Sequence, residues 1–214
     1  MTLLPVSLNV NGRWGVVIGG GKVAVRKVET LLAAGAKVRL ISPKIAPRLQ
    51  RLAQAGRIEW KPRQWKKCDF DQAWLVIAAT GDPDLNRKIR IAATRQKLWV
   101  NAVDDPDNCS LVFPSFFNRG GIQIAVGTSG QSPALARKIR EDLERDWDPK
   151  AGKCLAWIAG FRKRVKADLA DPEQRFRFWD QALTPKVIKL VRQGKIAEVK
   201  RSLQTAFTKF QRAK

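Results

Sequence analysis

Six residues, Gly19-Gly20-Gly21-Lys22-Val23-Ala24, carry the clearest chemical signature in the chain. They fit the spacing G-x-G-x-x-A, after a short apolar run and at the start of a helical pattern. Gly19 permits a tight turn. Gly21 lets the backbone approach a pyrophosphate, and Ala24 lets the helix pack close to the strand. The free N–H groups at the helix start, around Lys22 and Val23, then point at the phosphates. The competing reading is a glycine-rich turn with no ligand. NAD sites usually place Asp or Glu about 20 residues further on. Here Ile41-Ser42-Pro43-Lys44 stands there. Ser42 can hydrogen-bond a ribose hydroxyl and Lys44 could accept a 2′-phosphate, so the spacing leaves NADP open.

A second candidate is Asn101-Ala-Val-Asp104-Asp105-Pro106. It ends a strand, and ligands of open α/β sheets bind outside the carboxyl ends of strands. Asp104 could take a proton from a substrate or hold a metal ion in passing. The alternative is a turn-forming acid before proline. A third segment, Val126-Gly-Thr128-Ser129-Gly130-Gln-Ser132-Pro133, ends a strand and opens a helix. Its hydroxyls and N–H groups could bind an anion, or Ser132 could simply cap the helix. Arg137, Lys138 and Arg140 follow on that helix, where most charges form a solvated face. The tail aromatics Trp157, Phe161, Phe176, Phe178 and Trp179 are expected in a helix-packing core rather than as stacking platforms.

Composition removes several chemistries. The 214 residues contain no histidine and no tyrosine. A Ser-His-Asp or Cys-His relay is excluded, as are His-ligated metal sites and a tyrosine proton donor. The formal net charge is +22, spread over both halves of the chain. Such a field attracts polyanions: nucleic acid, anionic membrane or an acidic small molecule. The three cysteines form no C-x-x-C pair, which argues for a reducing, cytoplasmic setting. The N-terminus has no basic segment followed by a long apolar stretch, and no apolar run reaches the roughly 20 residues of a membrane span.

The elements that must position these residues follow from periodicity. Strands are expected at Trp14–Ile18, Val38–Ile41, Trp74–Ala79 and Leu98–Val103. Helices are expected at Val23–Ala34, Pro47–Ala55 and Pro83–Gln96. The alternation predicts a parallel sheet with helices on both faces. After Asp105 the pattern predicts strands at Ser110–Phe117 and Ile122–Val126, a helix from Ser132 to about Trp147, and a wholly helical remainder.

Taken together, the stretches VIGGGKVAVRK, LLAAGAK, IAAT, NAVD, SLVFPS and GQSPALAR, with Arg175-Phe-Arg-Phe-Trp179, resemble the siroheme synthase N-terminal region, the precorrin-2 dehydrogenase/sirohydrochlorin ferrochelatase family. The resemblance covers nearly the whole chain. The methyltransferase domain that follows this region in some members has no counterpart in the sequence. The resemblance implies a Rossmann-type NAD-binding domain at 1–113, a small central α/β dimerisation region at 114–147 and a C-terminal helical domain at 148–214. It implies a homodimer that oxidises precorrin-2 to sirohydrochlorin with NAD, followed in some members by insertion of ferrous iron to give siroheme. By position, Gly19, Gly21, Lys22, Val23, Ser42, Pro43, Lys44 and Thr80 hold the dinucleotide. Asp104 matches the family's acidic residue for catalysis and is a transient metal contact. Thr128, Ser129 and Arg137 face the tetrapyrrole. The family commonly has glycine where this chain has Ser129. The alternatives are a dehydrogenase-only member, a redox-sensing module and a basic nucleic-acid-binding protein.

Overall fold

In the computed structural model, which describes residues 3–103, 105 and 108–212, five short runs rich in apolar residues pair into one parallel sheet. The elements in order are β1 (Trp14–Ile18), α1 (Lys22–Ala33), β2 (Lys37–Ile41), α2 (Pro47–Gln54), β3 (Glu59–Lys61), β4 (Ala73–Ala78), α3 (Pro83–Arg95) and β5 (Trp99–Ala102). The strand order is β3-β2-β1-β4-β5. The chain therefore builds outward from β1 first to one side and then to the other. That reversal leaves a crevice at the carboxyl end of β1, where ligands of doubly wound sheets bind.

The sheet is buried on both faces, as its near-continuous apolar strands require. Val17, Leu40 and Ile77 pack under Val28 and Leu31 of α1 and Leu49 of α2. Val16, Ile18 and Val76 pack under Ile89 and Ala93 of α3. Each such side chain contributes about 1.5–3 kcal/mol on full burial. Asp82 caps α3 by accepting from Asp84 N and Leu85 N, with Pro83 at the first helical position.

Residues 114–214 form a second compact unit, after a first unit ending at Phe113. It opens with an antiparallel hairpin, β6 (Ser115–Arg119) and β7 (Ile122–Val126), and continues with α4 (Pro133–Arg145), α5 (Ala151–Asp168), α6 (Pro172–Ala182), α7 (Pro185–Arg192) and α8 (Ile196–Arg212). Ser132, Asp171 and Thr184 cap α4, α6 and α7, each followed by proline. An aromatic cluster centres this unit: Phe178 lies 5.1 Å from Phe207 and 6.4 Å from Phe161 between ring centres.

Three expectations are corrected. No strand covers 110–114, and β6 starts at Ser115. Residues 110–113 instead run along β5 through mixed contacts: Val100 N donates to Ser110 Oγ, Leu111 N to Val100 O, and Asn101 Nδ2 to Leu111 O. Side chains replace ladder bonds there. The short strand β3 and the 3-10 turn Lys67–Phe70 were not expected. The turn is fixed by the fully buried carboxylate of Asp69, held by Arg63 at 2.6 and 2.8 Å and by Lys66 N at 2.8 Å. Finally, Phe176 is 71% exposed. Phe178 and Ala182 face the core one turn apart, and residue 176 lies about 200° around the helix from 178.

Candidate functional site

β1 ends at Ile18, and the glycine loop follows it directly. Gly19 has φ +118°, and a Cβ there would meet Ala79 O at 2.2 Å. A Cβ on Gly20 would meet Lys44 O at 2.1 Å and Ser42 Oγ at 2.9 Å. A Cβ on Gly21 would meet nothing within 4 Å. The first two glycines are thus required by the protein's own packing. The third borders open space, a cradle that a side chain would fill and a pyrophosphate can enter.

Gly21 is the N-cap of α1 and makes no side-chain capping bond, and the first turn carries no acidic residue. The first N–H groups of α1 and the positive end of its dipole are thus available to an anion. Ala24 is fully buried, which brings α1 close to the sheet. Lys22 is exposed and Val23 half-buried beside the loop. The residues fit a dinucleotide.

The structure gathers the other first-unit candidates around this loop. Gly19 N donates to Ile41 O, and Ala46 N donates to Gly20 O at 2.9 Å, so the turn after β2 is tied to the glycines. Ser42 is buried, and its hydroxyl donates to Lys44 O at 2.7 Å. Its proton is committed to the turn, but its oxygen can still accept from a ribose hydroxyl. Pro43 and Lys44 are exposed. Thr80 follows β4 against Gly19, with its hydroxyl 2.7 Å from Asn86 Oδ1. Asn86, almost fully buried, returns its amide to Thr80 O. Sequence reasoning gave Gly20 no role of its own and missed Asn86. A third consecutive glycine was the available signal for the first, and nothing in the pattern pointed to the second.

Asp104 lies outside the described residues. Val103 N donates to Ala78 O at 2.9 Å. Arg90 Nε of α3 lies 3.0 Å from Asp105 Oδ2, an ion pair whose angle leaves the buried Nε without a hydrogen bond. Asn108 Nδ2 donates to Asp105 Oδ1 at 2.8 Å. Cys109 Sγ donates to Asp105 O and accepts from Ala102 N, each at 3.0 Å. Burial pushes the Cys109 thiol up, which keeps it protonated as a donor. Val103, Asp105, Asn108 and Cys109 are thus tied at the carboxyl end of the sheet. Among the described residues no cluster of three metal-binding side chains occurs.

Lys27, on the second turn of α1, has its ammonium 3.8 Å from the centre of the Phe113 ring. Burial, then the neighbouring Arg26, lowers its pKa from 10.5 to about 8. Between those values the folded chain binds fewer protons than the unfolded one, so stability rises with pH. Lys27→Met is therefore expected to stabilise the protein by about 1–2 kcal/mol at pH 7. That gain shrinks as pH climbs above about 8 toward 10.5. Thermal unfolding of both proteins across that range checks the sign.

In the second unit, Thr128 and Ser129 follow β7. Thr128 O accepts from Gln131 N, and its hydroxyl accepts from Ser132 N. Ser132 Oγ accepts from Leu135 N. The expected N-cap therefore exists, and the Thr128 hydroxyl braces it. Ser129 has φ +50°, a left-handed conformation that favours glycine. Ser129→Gly is expected to raise stability by ~0.5–1 kcal/mol, seen as a higher Tm. Arg137 points to solvent, 3.8 Å from Glu141.

Comparisons with known proteins follow this division. Residues 6–115 match a family described as putative NAD(P)-binding, residues 119–146 the sirohaem biosynthesis protein central family, and residues 151–207 the sirohaem synthase dimerisation region. Siroheme synthase 1 of Serratia proteamaculans is 38% identical over 211 residues, 98% of this chain and 44% of that protein. Siroheme synthase of Thioalkalivibrio sulfidiphilus is 39% identical over 206 residues, 96% of this chain and 42% of that protein. The chain thus spans less than half the length of the curated relatives it matches. A solved structure of SirC, precorrin-2 dehydrogenase, superposes with a TM-score of 0.77 at 21% identity, covering 96% of this chain and all of that one. At that identity the likeness concerns the fold.

Proposed function

The chain belongs to the siroheme synthase N-terminal family, and from that membership we propose that it oxidises precorrin-2 to sirohydrochlorin with NAD. The observation that carries this reading is the open cradle at Gly21, at the uncapped start of α1 and the carboxyl end of β1. A nicotinamide dinucleotide bound there supplies the hydride acceptor. The N–H groups of α1 hold its pyrophosphate, and Ser42 Oγ accepts from a ribose hydroxyl. Asp104 takes the proton that leaves the tetrapyrrole as the hydride departs. With no histidine in the chain, it is the leading group for that role. The positive field of the protein attracts the acetate and propionate groups of the macrocycle. Thr128, Ser129 and Arg137 are proposed tetrapyrrole contacts.

Ferrous iron is a proposed second substrate. Insertion requires removal of two ring N–H protons, and Asp104 can assist that without a resident metal. A homodimer is proposed from the match of residues 151–207 to the sirohaem synthase dimerisation region. Cys68, Cys109 and Cys154 are all free thiols, which supports a cytoplasmic setting.

Anaerobic incubation with precorrin-2 and either NAD⁺ or NADP⁺, with and without ferrous iron, tests this reading. Conversion with NAD⁺ supports the dehydrogenase, and siroheme formed only with protein plus iron supports the chelatase. Conversion with NADP⁺ alone would reassign the cofactor and give Lys44 the 2′-phosphate. No conversion by a folded protein that binds NAD⁺ would end the proposal.

A further inference from the structure

Phe176 is the most exposed large apolar side chain among those described in the second unit. It borders a groove of about 430 Å³ between α5 and α6. Arg162 and Lys166 line it from successive turns of α5. Pro172, Arg175, Phe176 and Trp179 line it from one face of α6. No acidic side chain takes part. Two other cations on these helices are paired, Arg164 with Asp168 and Arg177 with Glu173. Arg162 and Lys166 meet no carboxylate within ion-pair distance among the described residues.

The groove walls are fixed before any ligand arrives. Arg175 Nη1 donates to Leu169 O at 2.8 Å and Ala170 O at 2.6 Å, the carbonyls that follow α5. Trp179 is set edge-on against Phe161 at 6.1 Å and lies 5.0 Å from Phe178. A buttressed indole wall, an exposed phenyl ring and three cations at the rim define the chemistry. A second copy of this surface would set three cations against three, which charge repulsion opposes. Extended single-stranded nucleic acid binds along a basic track with repeated stacking platforms, whereas this groove is short with one exposed ring.

We propose that the α5–α6 groove binds a planar conjugated ring bearing carboxylates, through stacking on Phe176 and ion pairs with Arg162 and Lys166. That is the class of the tetrapyrrole in the proposed reaction. The choice of ligand rests on that reading, and the site is additional to the dinucleotide crevice. It gives the polycarboxylate substrate or product a holding place on the helical unit.

The test uses uroporphyrin, a fluorescent octacarboxylate porphyrin, titrated into the full-length protein with NAD⁺ present. Phe176→Ala and the double variant R162Q/K166Q are compared with wild type. R201Q/K209Q, on exposed positions of α8, is the control with the same charge change. The groove variants are expected to lose about tenfold or more in uroporphyrin affinity, with unchanged Tm, while the control keeps its affinity. Equal affinity in all four proteins overturns the proposal, as does an equal loss in the control. An oligothymidylate that binds more tightly than uroporphyrin, and does so through Phe176, also overturns it by making the ligand a nucleic acid. The two readings fail separately. Phe176-dependent porphyrin binding without precorrin-2 oxidation removes the reaction and leaves the groove. Oxidation without such binding does the reverse.

Discussion

Gly20→Ala is expected to damage both folding and cofactor binding, while Gly21→Ala acts mainly on binding. An added Cβ at Gly20 falls 2.1 Å from Lys44 O, a backbone atom that cannot swing away. The turn carrying Ser42 to Ala46 must shift, and the bond from Ala46 N to Gly20 O is strained with it. The loss should reach about 2–4 kcal/mol, the range of overpacked and strained core sites. At Gly21 the backbone is extended, with φ −86° and ψ −169°, and no protein atom lies within 4 Å of the new methyl. Ala is a poorer N-cap than Gly, so the substitution should cost about 0.5–1.5 kcal/mol, less than at Gly20. It should still weaken NAD⁺ binding by at least about tenfold, because the methyl occupies the space of the pyrophosphate. Paired thermal unfolding and NAD⁺ titration of the two variants separate the effects. Equal NAD⁺ affinity for Gly21→Ala and wild type would show that the cradle is not where the phosphates sit.

Asp104→Ala is expected to lower kcat for precorrin-2 oxidation by about 10²–10⁴, the range for loss of a positioned general base. NAD⁺ affinity should be unchanged, because the proposed dinucleotide contacts lie on the glycine loop, the turn after β2 and Thr80. Asp104→Asn should match alanine, since an amide cannot accept the proton, and Asp104→Glu should recover part of the rate. A fall of less than about threefold in both Ala and Asn variants would make water the proton acceptor. The clamp formed by Arg90, Asp105, Asn108 and Cys109 would then serve structure alone.

Much of the fold was legible because the strongest signals are periodic or local. The strands β1 and β4 are continuous apolar runs, β2 and β5 are mostly apolar, and Ser132 ahead of Pro133 marked the start of α4. The glycine spacing likewise revealed the crevice. What stayed hidden depends on contacts between distant residues. β3 has only three residues and exists because Trp60 pairs with Leu40 across the sheet. Asp69 reads as a surface acid until Arg63 and Lys66 fold over it. The demand for glycine at position 20 comes from Lys44, 24 residues away, which no local motif encodes. Phe176 and Phe178 are equally apolar in sequence, and only the packing of α6 decides that one is buried and the other lines a cationic groove.

The central claim is that the crevice at the end of β1 couples oxidation of precorrin-2 to reduction of a dinucleotide. Anaerobic single turnover with enzyme in excess over precorrin-2, following NADH and sirohydrochlorin absorbance together, tests it most directly. The account predicts one NADH for each sirohydrochlorin, with both signals rising at one rate and both lost in Gly21→Ala at low NAD⁺. Sirohydrochlorin formed without NADH, or at the same rate in Gly21→Ala, would contradict it.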